Sequence, residues 1–131
     1  MKLLKKYIEE IGEDLVLNDL NLKECQMRLP ARKHFWVGRL IDAKIKRNDL
    51  IGEKNKLKKE LVKKVIEDSP VRINQTSAEA ATEKYESVAK LNKAIKEQDT
   101  IIEYLEKVEK ILGNMHWEIK NVIDMNKMEQ Y

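Results

Sequence analysis

Residues 88–112 read VAKLNKAIKEQDTIIEYLEKVEKIL, and the spacing of their apolar side chains decides the fold class. Val88, Leu91, Ile95, Gln98, Ile102 and Leu105 alternate in steps of three and four, and the seam then passes to Val108 and Leu112. That is the period of one helix packed along another. Thr76 or Ser77 can cap this helix, with Glu79 or Ala80 at the third position. A helix over 77–112 is therefore expected, about 54 Å long at 1.5 Å per residue.

Working toward the N-terminus, Asp68-Ser69-Pro70-Val71-Arg72-Ile73-Asn74-Gln75-Thr76 reads as a loop, because Pro70 cannot continue a helix. From Ala31 to Glu67 there is no proline, and Gly38 and Gly52 are the only glycines. A second long helix over 31–67, about 55 Å long, follows. Trp36, Leu40, Ala43, Leu50, Leu57 and Leu61 mark its thin apolar seam, with Arg47 and Lys54 where apolar residues would be expected. Two helices of matched length joined by a short loop imply an antiparallel hairpin.

Residues 1–30 read as short N-terminal helices. Leu4, Ile8, Ile11 and Leu15 form one apolar stripe, and Gly12 frays its end. Asn18 or Asp19 can cap a second short helix through Leu22, Cys25 and Leu29, which Pro30 ends or kinks. At the other terminus Gly113-Asn114 marks a break or kink, followed by a last helix over 114–128. Met115, Ile119 and Val122 fall on one side of it, and Trp117, Met125 and Met128 fall roughly opposite. A terminal helix cannot hide both faces against its own hairpin, so Met115, Trp117, Ile119, Val122 and Met125 are the expected oligomerisation residues. The fold class is all-α, in a single helical domain over 1–131.

Composition agrees with this reading. The chain has 131 residues, 42% hydrophobic and 37% charged, with four glycines and two prolines. So few turn residues exclude a many-stranded sandwich or barrel, and the apolar fraction allows only a modest core. No apolar run approaches about 18 residues, and the N-terminus lacks a signal-peptide core, so a soluble, intracellular protein without membrane contact is expected. Cys25 is the only cysteine, and with His34 and His116 it makes no zinc-ligand set. No metal and no cofactor are expected. Phosphate-cradling glycine loops and the nucleophile and zinc-protease motifs are absent too. Cys25 with His34 is the one nucleophile and base that could be paired, and a buried thiol is the simpler role for Cys25. The sequence is not that of an enzyme.

The net charge of +3 conceals a sharp division. Residues 1–31 sum to −1 and residues 65–131 to −4, whereas residues 32–64 carry twelve basic and four acidic side chains, a net of +8. Lys44, Lys46, Arg47, Lys54, Lys56, Lys58, Lys59, Lys63 and Lys64 spread over several faces of the expected helix. Nucleic-acid phosphates are the natural partner of such a segment. The competing arrangement pairs these groups with Glu83, Glu86, Glu97, Asp99, Glu103 and Glu106 on the second helix. Exposed ion pairs contribute only about 0–1 kcal/mol, which does not account for so lopsided a segment, so phosphate binding is preferred. Trp36 falls on the apolar seam and reads as core. Phe35, beside Arg39 and off that seam, is the better platform for an unpaired base. Arg39, Lys44, Arg47, Lys54, Lys58, Lys59, Lys63, Lys64 and Phe35 are accordingly the expected DNA-binding residues.

These residues resemble a known family, the UvsY-type recombination mediator proteins of tailed phages. The likeness rests on the acidic segment ending in Asp14-Leu15-Val16-Leu17-Asn18, on the Trp-containing start of the basic helix and on Leu57-Lys58-Lys59-Glu60-Leu61. It rests most on Trp117-Glu118-Ile119-Lys120-Asn121-Val122-Ile123-Asp124-Met125, which resembles the family's C-terminal pattern. The resemblance implies a helical homo-oligomer, a hexameric or heptameric ring assembled through the C-terminal region, that binds single-stranded DNA with little sequence preference. It further implies partners: a RecA-like phage recombinase and the phage single-stranded-DNA-binding protein. The work implied is loading the recombinase onto DNA that the binding protein covers and stabilising the presynaptic filament, in the cytoplasm of an infected bacterium. Lys58 matches a basic position of the family's DNA-binding motif. Glu60 stands where a second basic residue belongs, so Lys59, Lys63 or Lys64 would take over that contact. The alternative function is a non-enzymatic helical-hairpin chaperone or scaffold.

Overall fold

The computed structural model describes residues 1–16 and 22–129. Among the described residues the protein is all-α, with four helices and no strand. These are α1 (Lys2–Asp14), α2 (Leu22–Asp68), α3 (Gln75–Thr82) and α4 (Glu86–Glu129). No helix is long and apolar enough to cross a membrane.

The helix boundaries differ from the sequence expectation in three places. The first is Pro30, which lies inside α2 and does not end a helix. Leu22, Cys25, Leu29, Trp36 and Leu40 are all buried, so one apolar stripe in helical steps runs across the proline. Packing on both sides offsets the missing N–H, and the ring itself is exposed. The proposed cap at Asn18 or Asp19 lies outside the described residues.

The second is Gly113, which α4 passes through without a break. Ile101, Leu105, Val108, Leu112, Met115 and Ile119 are buried in unbroken steps of four, three, four, three and four. That seam keeps one face against its partner through the glycine, whose helical cost is only about 1 kcal/mol. Among the described residues no glycine has a positive φ, so nothing calls for a left-handed helix cap.

The third is a break at residues 83–85, in the middle of the helix expected over 77–112. α3 starts at Gln75, capped by Asn74, whose side chain accepts a 2.8 Å hydrogen bond from the Ser77 amide. Thr82 is fully buried and donates its hydroxyl to the Glu79 carbonyl at 2.6 Å. The amides of Glu83, Lys84 and Tyr85 then bond back to Ala80, Ala81 and Thr82. A side chain that takes up a backbone carbonyl, followed by i→i−3 bonds, replaces the α-helical ladder with a tighter turn.

By contact the chain divides into two compact units, Met1–Asp42 with Ile101–Tyr131, and Ala43–Thr100. The first unit holds most of the large buried side chains, with Ile11 of α1 and the α2 and α4 stripes just described. Asp14 ties α1 to α2 there. Its Oδ2 accepts from Arg32 Nε at 2.8 Å, Arg32 Nη2 at 2.6 Å and the Trp36 indole at 3.0 Å. Tyr7 packs edge-on to Trp36 at 5.7 Å, and Arg39 bonds Glu10 while lying over Tyr7. Cys25 is buried with its thiol toward the Val16 carbonyl, whereas His34 is exposed. The second unit buries smaller groups: Ala43, Val62, Ala78 and Val88, with Thr82 and Gln98.

Candidate nucleic-acid interface

The second unit carries the dense part of the basic segment, and helix geometry sorts six of its cations into two sets of three. Arg47, Lys54 and Lys58 follow one another by seven and four residues, which puts them on one face of α2. All three are engaged. Arg47 Nε donates to Asp99, Lys58 Nζ lies 2.8 Å from Glu83, and Lys54 Nζ lies 3.8 Å from the same carboxylate. Asn92 adds a 3.1 Å hydrogen bond to Glu83. These donors, the Lys58 bond first and the Asn92 bond second, hold the Glu83 carboxyl below the usual carboxylate range.

Lys56, Lys59 and Lys63 form the other set, at steps of three and four on a different face. They are exposed, as are Lys44, Lys46 and Lys64, and none has an ion-pair partner among the described residues. Of these lysines Lys59 borders an open groove of about 370 Å³, which is lined by Asn55, Lys58, Lys59 and Val62 of α2 and by Gln75 and Glu79 of α3. The Glu79 carboxylate accepts from Gln75 Nε2 at 3.3 Å.

The four acids of residues 32–64 are also ordered. Asp42, Asp49, Glu53 and Glu60 follow one another by seven, four and seven, so they share one stripe of α2. All four are exposed. The +8 segment is thus a basic helix with its negative charge gathered along a single edge.

Of the nine residues expected from sequence to bind DNA, the structure leaves Lys44, Lys59, Lys63 and Lys64 exposed and unpaired among the described residues. It engages Arg39, Arg47, Lys54 and Lys58 with Glu10, Asp99 and Glu83. Two of the acids considered as competitors, Glu83 and Asp99, therefore do pair with the basic helix. Phe35, in the first unit, is 37% exposed, and the Arg32 and Arg39 guanidinium groups lie 4.5 Å and 4.2 Å from its ring centre. Trp36 is buried, in keeping with its seam position. Asn92, which the sequence reading does not single out, joins the Lys54–Lys58–Glu83 cluster. No periodicity marks it, because it meets Glu83 across the break between α3 and α4.

The expected oligomerisation residues divide between two environments. Met115 and Ile119 are buried in the chain's own core and Val122 is half-buried, so that face already has its partner. Trp117, Met125 and Met128 are 59%, 60% and 76% exposed, and Lys120 Nζ sits 5.2 Å from the Trp117 ring centre. Among the described residues no three His, Cys, Asp or Glu side chains gather as a metal site. No protein-family model, no curated protein and no solved structure matches the chain.

Proposed function

We propose that this protein is a non-enzymatic, single-stranded-DNA-binding recombination mediator, similar to the UvsY-type proteins, that loads a RecA-like recombinase onto DNA covered by a single-strand-binding protein and stabilises the resulting filament. One observation carries the DNA-binding part: Lys56, Lys59 and Lys63, with Lys44, Lys46 and Lys64 on the same helix, are exposed and lack carboxylate partners among the described residues. Unpaired cations release bound counterions from a polyanion and gain from doing so, whereas paired ones must first give up their acid. The phosphate contacts accordingly belong to Lys44, Lys59, Lys63 and Lys64, with Lys46 and Lys56, ahead of Arg47, Lys54 and Lys58.

The mediator role and the phage-infected cytoplasm as its setting follow from the resemblance at Leu57–Leu61 and Trp117–Met125. The hairpin belongs to the same proposal. In the second unit Arg47 meets Asp99 and Lys58 meets Glu83, so contacts on α2 and the downstream segment run in opposite chain directions, which supports an antiparallel arrangement. The exposed Trp117 and Met125 are the proposed contact between subunits of a hexameric or heptameric ring. An oligomer multiplies the lysine face, so that weak sites act together through effective concentration.

The test is a titration of fluorescent oligothymidylate, single-stranded beside duplex, at two salt concentrations, with native mass measurement of the same samples. Salt-sensitive binding by an oligomer supports the proposal. A protein that binds neither strand at low salt is a helical scaffold or chaperone instead.

A further inference from the structure

We propose that Lys54, Lys58 and Asn92 form a phosphodiester-binding site that the protein's own Glu83 occupies when no nucleic acid is bound. The inference deepens the function proposed above and rests on it for the identity of the ligand. Three donor groups from α2 and α4 converge on one carboxylate. Lys58 Nζ and Lys54 Nζ lie 2.8 Å and 3.8 Å from Oε1, and Asn92 Nδ2 lies 3.1 Å from Oε2. Two cations and an amide around one singly charged, two-oxygen group make a cluster that a phosphodiester fits equally well, being also singly charged with two free oxygens.

Two features make Glu83 a displaceable occupant. It stands at the break over residues 83–85, where i→i−3 bonds replace the regular helical ladder. Its side chain is 44% exposed and those of both lysines 25%, so solvent screens the pairing and a competitor can reach it. The site is also continuous with the unpaired lysines. Lys58 and Lys59 both line the open groove between α2 and α3, so a strand held on Lys59 and Lys63 brings its next phosphates to Lys58. Glu83 then acts as an internal competitor that weakens binding of short or singly charged ligands and yields to a polyanion.

Glu83→Gln keeps the shape and removes the charge, freeing two cations. Each additional phosphate neutralised steepens the log–log salt dependence by about 0.7 for a single strand, so the slope should steepen by about 1.4. Extrapolated from 1 M to 0.1 M salt, that corresponds to a gain of about 25-fold in affinity for oligothymidylate. The gain should vanish when Glu83→Gln is added to a Lys54→Ala/Lys58→Ala background. Asn92→Asp, which adds a second carboxylate to the cluster, should weaken binding and flatten the slope. Circular dichroism checks that each variant keeps its helix content.

A wild-type protein that binds the oligonucleotide while Glu83→Gln matches it in affinity and slope overturns the inference and leaves the proposed function standing. Inorganic pyrophosphate added to Glu83→Gln, with the Asn92 side-chain amide followed by NMR, separates the two ideas from the other side. A shift of that amide without oligonucleotide binding by any variant supports the anion site and refutes the DNA-binding reading. No shift and no binding overturn both.

Discussion

Removing the lysine face of α2 should weaken single-strand binding far more than removing the same charge elsewhere in the unit. Lys56, Lys59 and Lys63 share one face and have no carboxylate partner among the described residues. Replacing all three with Ala removes three of the proposed phosphate contacts, which at about 0.7 per contact should lower the log–log salt slope by about 2. At 0.1 M salt that is a loss of about 100-fold in affinity. The matched control is Lys90→Ala/Lys93→Ala/Lys96→Ala on α4, which changes the net charge equally within the same unit. All three control lysines are exposed, and Lys90 sits 3.7 Å from Glu86. Fluorescence anisotropy across a salt series reads both triple variants. If the two lose affinity equally, only net charge matters and the reasoning from the α2 face is refuted.

Asp14→Ala should lower the free energy of unfolding by about 2–4 kcal/mol in urea titrations, because it orphans the indole N–H of a fully buried Trp36 and breaks both bonds from Arg32. A loss below about 1 kcal/mol would mean that water replaces the carboxylate. Gly113→Ala should stabilise the protein by about 0.5–1 kcal/mol, since a Cβ there meets nothing within 4 Å and the residue lies inside a helix. Destabilisation on thermal melting would instead point to a break at that position. Burial pushes the Tyr104 hydroxyl above its ordinary value of 10.0, so the folded chain holds that proton more tightly than the unfolded one. The contribution is complete below pH 10 and is lost as the pH rises through the folded-state value, so the alkaline stability slope should be shallower in Tyr104→Phe.

Much of the fold can be read from residue spacing, and two of the three failures share a cause. Val88, Leu105, Val108 and Leu112 are buried as their three-and-four pattern requires, and Trp36, Leu40 and Ala43 are buried on the α2 seam. Pro30 and Gly113 mislead because a local breaker was weighed without the stripe that continues past it. In both places the buried residues keep helical register on either side, and that signal is present in the sequence. The break at 83–85 is different. No glycine or proline announces it, and it depends on the burial of Thr82 and the bond from its hydroxyl, which only packing reveals. The basic segment is legible from charge counting, but its division into paired and unpaired lysines needs to know which acids α3 and α4 bring near. The Asp14 cluster joins residues 18 and 22 positions apart, beyond the reach of any helical repeat.

The carboxylate stripe of Asp42, Asp49, Glu53 and Glu60 gives the proposed site a means of telling one strand from two. A single phosphate chain lying along α2 over Lys56, Lys59 and Lys63 has the acids on one flank, with Lys56 three and four residues from Glu53 and Glu60 and Lys59 facing furthest from them. A duplex carries a second backbone across a minor groove only about 6 Å wide. Seated on the same lysines and lying along the helix, it brings that second row of phosphates toward the acids. Discrimination against double-stranded DNA would then need no contact with a base, because the helix itself carries repulsion beside attraction.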